Sequence, residues 1–430
     1  MTRPTGGTGV AVALLLFLAA GPARGGGYYN PDFGTKRGGM MAVIANPDDP
    51  TAIFHNPAAM TGLVGTHLYH SQTWFLADAR MQFYDSQGVL RPDHAIGPDW
   101  NLGFSPFIGV VTDFGGLQRL RMGVAVYAPN AFGAVLPDDE PTRYHVLKAF
   151  FIAPRLTTSF AWAFTPRFSA ALSFNLLTSG LYAERMMNPL VLQDPDLRFA
   201  DPETLAPYDA KLKLSGMAVT WAWDTALWFR PLETFRIGVM FAAGAPSRLK
   251  GRARLRYADG TRESTRQRTM IAIPFTLQAG TSWEFARDFE WNVDVRYWHY
   301  QVNQEQLTRL SQPIMGIEEF REPKNYRNAY SVGTGLLYRV IPPVDVMAGF
   351  QWDTTGFREY TLSVENPNRD RLGVSMGVRW RINGHVRVGL SFVRQWFQMY
   401  DIQNSITTPP TNAKGYGAIS QFGADVDWSL

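Results

Sequence analysis

Cysteine is absent from the 430 residues. Neither disulfides nor thiolate-bound metals can hold the chain together, so stability has to come from backbone pairing and burial. Long apolar runs are almost as scarce. Residues 10–20 (VAVALLLFLAA) form one, but a transmembrane helix needs about 20 such residues, and no later stretch approaches that length. Charge of one sign is lacking too: 41 Lys and Arg against 37 Asp and Glu leave a formal net charge of +4. With no nucleic-acid motif beside it, that balance gives no reason to expect a nucleic-acid partner. His-Glu-x-x-His is missing, and the seven histidines are scattered. No organised nucleophile or acid–base set is legible, so neither an enzyme nor a metal or other cofactor is expected.

What is present begins with a targeting pattern. Arg3, the apolar run 10–20, and the small residues Gly21 and Ala23 before Arg24 predict a secretory signal peptide over 1–24. Beyond it the chain combines 13% aromatics and 39 glycines with a mean hydropathy of −0.15. That mixture suits a sheet with one face in lipid and the other in water.

Period-2 alternation recurs along the chain. Trp291, Val293, Val295 and Tyr297 alternate with Asn292, Asp294 and Arg296; Val374, Met376, Val378 and Trp380 alternate with Ser375, Gly377 and Arg379. Successive Cβ atoms of a strand point to opposite faces, so each segment has an apolar and a polar wall. Fourteen candidate strands follow, at 64–84, 99–112, 119–129, 148–164, 167–184, 211–229, 234–249, 268–285, 288–301, 329–340, 343–353, 371–382, 385–398 and 415–430. Breaks after even strands are short, such as Thr165-Pro166, Ile341-Pro342 and Asn383-Gly384, whereas 85–98, 130–147, 185–210, 250–267, 302–328, 354–370 and 399–414 are long and polar. Sorting of short and long connections to opposite rims is the signature of an outer-membrane barrel. The fold class expected is therefore all-β: a transmembrane antiparallel β-barrel of about fourteen strands over 64–430.

Residues 25–63 do not alternate, are rich in Gly, Pro and Asn, and carry an apolar run at 40–44 and Phe54. A barrel this wide leaves a lumen that strand side chains cannot fill. The expectation is an N-terminal hatch, a plug folded inside the lumen.

Gly38, Gly39, Ala42, Asp48, Asp49, Thr51, Ala52, Phe54, Asn56, Pro57, Ala58 and Met60 stand in a pattern that resembles the hatch of the FadL-type transporters of Gram-negative bacteria, which carry long-chain fatty acids and aromatic hydrocarbons. Asn-Pro-Ala after an acidic pair is its most specific part. Ile152-Ala153-Pro154, residues 349–354 (GFQWDT) and residues 367–371 (PNRDR) look like landmarks of the same family, so the resemblance covers nearly the whole mature chain. Two departures stand out. Asn368 occupies a position where the family usually has Asp, and the chain ends in Leu430 rather than an aromatic.

The resemblance implies a fourteen-stranded barrel in the outer membrane, acting as a monomer. It also implies capture of a hydrophobic molecule by outer loops, binding in the lumen, movement of a hatch built on Asp48, Asp49, Phe54, Asn56, Pro57 and Ala58, and release through the wall or toward the periplasm. A kinked third strand opens the wall in the family, and the matching stretch here holds Pro129, Asn130 and Gly133. Pro129 cannot donate to a ladder, which fits either a break in the wall or a simple strand end. The outer loops carry Met186, Met187, Leu190, Leu192 and Phe199, and then Leu307, Leu310, Ile314, Ile317 and Phe320 at helix-like spacing. Ligand capture and loop-to-loop packing both account for them. Lys250, Arg252, Arg254, Arg256, Arg262, Arg266 and Arg268 make a basic segment that faces either lipopolysaccharide phosphate or solvent. Arg155, Arg296 and Arg379 are candidates to hold a ligand carboxylate or to join lumen ion pairs. The expected partners are a hydrophobic ligand, outer-membrane lipid and lipopolysaccharide. A general diffusion porin and an outer-membrane lipid-modifying enzyme are the competing classes.

Overall fold

The computed structural model describes residues 33–97, 102–365 and 367–430. The segment expected to be a signal peptide lies outside these residues. None of the described helices is long and apolar enough to cross a membrane.

The described backbone is dominated by one antiparallel sheet. Its strands are β1 (Thr66–Tyr84), β2 (Leu90–Ile96), β3 (Leu102–Thr112), β4 (Leu120–Val135), β5 (Lys148–Thr165), β6 (Phe168–Met187) and β7 (Ala210–Leu232). Then come β8 (Phe235–Ala242), β9 (Ala245–Tyr257), β10 (Arg262–Ile273), β11 (Thr276–Ala286), β12 (Phe289–Trp298), β13 (Glu305–Ile314) and β14 (Ile317–Pro323). The last are β15 (Ala329–Ile341), β16 (Val344–Asp353), β17 (Arg371–Arg381), β18 (Val386–Ile402) and β19 (Ala413–Ser429). β1 pairs with β19 from His67↔Ser429 to Phe83↔Ala413, which closes the sheet into a barrel. The wall has fourteen spans, because β2 with β3, β8 with β9, and β10 with β11 are single interrupted spans, while the β13–β14 hairpin stands on the loop rim.

Alternation gives the wall its two faces. On β7, Met217, Val219, Trp221 and Trp223 point outward and are exposed, while Ala218, Ala222, Asp224 and Ala226 point inward and are buried. Trp221 is 72% exposed, a placement that a water-facing surface would penalise and a lipid face rewards. The tight turns lie on one rim and are laced together around it. Arg230 N–H donates to Arg167 O, Glu284 to Thr234, Arg339 to Asp288 and Arg381 to Pro343, each at 2.8 Å.

Several sequence expectations need correction. The third span does not end at Pro129 but runs on to Val135 as part of β4. Residues 250–267 are not a loop, because β9 and β10 pair from Ala245↔Ile273 to Arg256↔Arg262. The spacing of Leu307, Leu310, Ile314, Ile317 and Phe320 is not that of a helix. They lie on the β13–β14 hairpin, where Met315 and Gly316 both take positive φ (50° and 74°) at the turn, a backbone that reverses the strand in two residues. Residues 85–98 contain β2, which adds to β1 above β3.

Candidate functional site

Residues 33–63 lie inside the barrel. Most are fully buried, and their partners come from strands all around the wall, which only a lumen position allows. A short helix, Thr35–Met40, begins the segment. From Met40 to Ile44 the segment passes so close to the wall that side chains are excluded there. A Cβ on Gly335 would sit 2.0 Å from Met40 O, one on Gly333 2.2 Å from Met41 O, and one on Gly238 2.4 Å from Ile44 O.

Residues 42–45 are not helical, so their backbone groups need outside partners. The wall supplies them. Asp294 accepts from Val43 N at 2.7 Å and Ile44 N at 3.2 Å, Asn292 donates to Ala42 O at 3.2 Å, and Trp228 Nε1 donates to Ala45 O at 2.8 Å. Asn56 then ties the segment to itself and to the wall. Its amide donates to Ile44 O (3.0 Å) and Leu227 O (3.2 Å), and its Oδ1 accepts from Ala58 N (3.1 Å), capping the turn that Pro57 opens. Ala58 O in turn accepts from Ser169 Oγ at 2.8 Å. Phe54 packs with Phe33 and Tyr127 at ring separations of 5.0 and 5.2 Å.

The acidic pair does two different things. Asp48 bonds Arg379 at 2.7 and 3.1 Å, and Arg379 also holds Asp345 at 2.9 Å. Lys36 bridges Asp48 at 3.5 Å and Glu290 at 2.8 Å. Burial pushes the Asp48 carboxyl up, but Arg379, Lys36 and Arg387 outweigh it and hold it well below the usual range. Asp49 accepts from Thr51 N at 2.8 Å and Thr51 Oγ1 at 2.5 Å. Burial raises its pKa to about 6; Arg387 opposes this, while Asp48 and Asp425 add to it. His55 is fully buried, donates Nε2–H to Phe33 O at 3.0 Å, and is held neutral by burial and by the cation of Arg296.

Of the three arginines singled out from the sequence, Arg379 is engaged by Asp48 and Asp345, and Arg296 lies 3.6 Å from Asp294. Arg155 reaches Asn130 Oδ1 at 3.3 Å, and its Nε has no partner. An expectation that the chain has no Gly-x-Ser-x-Gly needs correction, because the pattern stands at 373–377. It falls in mid-strand on β17 rather than at a strand-to-helix turn, and Ser375 Oγ donates to Gly39 O at 2.8 Å.

The wall is interrupted beside β4. β3 pairs with β4 only from Thr112↔Met122 to Phe107↔Tyr127, although β3 continues along β1 to Leu102↔Leu76. Past Tyr127, β4 keeps only β5, with a register shift between Tyr127 and Asn130. Pro129 sits in that shift, and Ala128 to Asn130 are all buried, which breaks the alternation of the strand. Ser105 Oγ reaches across to Ala128 O at 3.5 Å. Gly133 packs against Phe150, which leaves no room for a side chain.

A cavity of about 360 Å³ opens among the loops on the opposite rim from the tight turns. Phe132, Leu181, Met187, Val191, Leu212 and Phe320 give it apolar walls, with Lys324, Glu322 and Arg185 at its polar edge. Lys324 pairs with Glu322 at 3.1 Å, and the Arg185 guanidinium lies 5.4 Å from the Phe320 ring centre. Met186, Met187, Leu192, Ile317 and Phe320 from the sequence-based set line this cavity. Phe199 packs instead against Phe83 and His94, and Ile314 lies under Leu255 with Leu310 beside it. Leu190 does not line the cavity either. Phe132 carries no sequence signal beyond lying near Pro129, and only its place in both the cavity and the interrupted stretch singles it out.

A profile of the outer membrane protein transport protein family (OMPP1/FadL/TodX) matches residues 18–425. No curated protein sequence matches significantly. Among solved structures, a Pseudomonas aeruginosa FadL homologue superposes with a TM-score of 0.81 at 16% identity, covering 94% of this chain and 99% of its own. The Pseudomonas putida toluene transporter TodX gives 0.67 at 15% identity, over 94% and 98%. The monoaromatic hydrocarbon channel CymD gives 0.69 at 15% identity, over 92% and 97%. At these identities the structures speak for the fold.

Proposed function

The chain belongs to the outer membrane protein transport protein family (OMPP1/FadL/TodX), and we propose that it takes up long-chain fatty acids or aromatic hydrocarbons as a monomer. The loop cavity takes the molecule from outside. Its apolar walls desolvate a hydrophobic ligand, and a cavity of this size buries most of a small molecule's surface. From there the molecule passes into the lumen and leaves through the interruption beside Pro129. Residues 33–63 act as the hatch that keeps the lumen shut to ions.

One observation carries this reading. Phe132 lines the loop cavity and stands three residues past Pro129, on the part of β4 that has no β3 partner. Phe132 thereby links the cavity wall to the interrupted stretch of β4. The straight route to the tight-turn rim is filled by the buried N-terminal segment, which supports a sideways path over an open pore.

Binding of oleate and of toluene to the purified full chain, read by native mass spectrometry, tests the cavity. Wild type retains one of them, and Phe132→Asp loses it, because a carboxylate in an apolar wall must be desolvated. Equal retention by Phe132→Asp, with the variant folded, contradicts the assignment.

A further inference from the structure

The outer face of the barrel changes character abruptly at one place. Up β7 the outward residues run Trp223, Trp221, Val219, Met217 and then Ser215, Lys213. The pairing with β6 is unbroken through this stretch, so all of them stand on the same wall face. β9 and β10 continue the pattern beside β7. Arg248, Lys250, Arg252, Arg254 and Arg256 on β9 point outward and are exposed, as do Arg262, Arg266 and Arg268 on β10. Their inward neighbours Leu249, Ala253, Leu255, Gln267 and Thr269 are buried.

Register places these cations directly opposite one another. Arg266 pairs with Arg252, Arg268 with Lys250, and Arg262 with Arg256, while Lys213 of β7 stands opposite Arg254 and Lys211 opposite Arg256. Like charges across strands destabilise a sheet. Among the described residues, none of the eight β9 and β10 cations has an acidic partner within ion-pair distance. Of the cations beside them, Lys213 is taken by Glu184 at 2.7 Å, and Arg309 of β13, opposite Arg268, by Glu319 at 3.7 Å. Solubility does not require such a surface, because a balanced rim of both signs would serve. The cationic sheet begins where the lipid-facing residues end, at Met217, opposite Lys250, and Met270, opposite Arg248.

We propose that this face binds the phosphates of lipopolysaccharide in the outer leaflet. Four features fit that occupant. The surface is on the outside of the wall, so it is reached from the membrane and not from the lumen. It starts at the edge of the acyl region, where the sugar phosphates of such a lipid lie. It is dominated by arginine, whose guanidinium takes phosphate oxygens two at a time. It spans three neighbouring strands, which suits a headgroup with more than one phosphate. Bound phosphates remove the cross-strand repulsion that the bare sheet carries. This inference is independent of what the barrel transports.

The test uses the purified full chain in neutral detergent and fluorescent rough-type lipopolysaccharide. Binding at low salt is expected, weakening as salt rises, because exposed charges are screened. The variant Arg252→Ser/Arg254→Ser/Arg266→Ser/Arg268→Ser is expected to bind at least ~10-fold more weakly, since it removes the phosphate forks. Dephosphorylated lipopolysaccharide is expected to bind wild type as weakly. Heat-modifiable migration in gels and an unchanged circular-dichroism spectrum report that the variant is folded, because the substituted side chains lie on the outer face. Unchanged affinity in the folded variant overturns the proposal. So does equal binding of the dephosphorylated lipid, or equal competition by phosphatidylglycerol vesicles, which carry negative charge without clustered phosphates.

Discussion

Asp48 and Arg379 form a two-point ion pair, with Nη1 2.7 Å from Oδ1 and Nη2 3.1 Å from Oδ2. The same guanidinium holds Asp345 of β16, so one residue of β17 clamps the N-terminal segment and the neighbouring strand together. Removing one partner of a buried pair leaves the other uncompensated, at about 3–5 kcal/mol. Asp48 is one-third exposed and keeps Lys36 and Arg387 as partners, so the cost of losing Arg379 falls below that range. Arg379→Ala is expected to raise single-channel conductance several-fold in planar bilayers, with Arg379→Lys between it and wild type. An unchanged conductance in Arg379→Ala argues against a clamp.

Wall glycines give a second handle on the segment. A Cβ at Gly335 would fall 2.0 Å from Met40 O, whereas one at Gly384 meets nothing within 4 Å. Gly335→Ala is expected to displace residues near Met40, exposing Lys36 and Arg37 to trypsin. Gly384→Ala is the control and leaves digestion as in wild type. Equal digestion in both variants contradicts the close packing described.

The pH dependence follows from Asp49. Its carboxyl is raised from 3.8 to about 6, chiefly by burial. In that window the folded chain holds a proton that the unfolded chain has released, so stability falls as pH rises from 3.8 to about 6. Asp48 has the opposite sign: its stabilisation is present above the ordinary carboxylate range and is lost in stronger acid. Asp49→Asn still accepts from Thr51 but carries no charge. Its thermal midpoint is expected to be flat across the window in which wild type declines, as followed by circular dichroism.

Most of the wall was legible in the sequence because lipid imposes a single apolar face on each strand, as at Trp291 to Tyr297. The tight-turn rim was legible from residue pairs such as Asn383-Gly384. β9 and β10 escaped that reading. On β10 the outward side is cationic and the inward side holds Thr265, Gln267 and Thr269, so no contrast of apolar with polar marks it. β9 alternates but inverts the wall pattern, with cations outward and Leu249, Ala253 and Leu255 inward. β13 and β14 imitate a helix because the hairpin turn at Met315-Gly316 shifts the apolar positions between strands. In the lumen, the acidic pair and Asn56 could be found from their motif. The wall partners Trp228, Asp294 and Ser375 could not, since each is an ordinary strand residue until the fold brings it to the segment.

The wall interruption can be stapled. Ser105 Oγ lies 3.5 Å from Ala128 O across the gap, and the chain has no cysteine of its own to interfere. A Ser105→Cys/Ala128→Cys pair is expected to cross-link β3 to β4 under oxidation, slowing uptake of hydrophobic substrate, with recovery after reduction. Uptake insensitive to a verified cross-link rules out exit at this place.

Uptake itself tests the central claim most directly. In cells lacking other routes for hydrophobic compounds, labelled oleate or toluene is supplied with and without the wild-type chain, while salt conductance of the purified protein is measured in bilayers. The account predicts faster uptake of at least one of the two compounds together with low conductance, because the buried N-terminal segment fills the lumen. High conductance with no gain in the uptake of either compound would mark an open diffusion pore and contradict it.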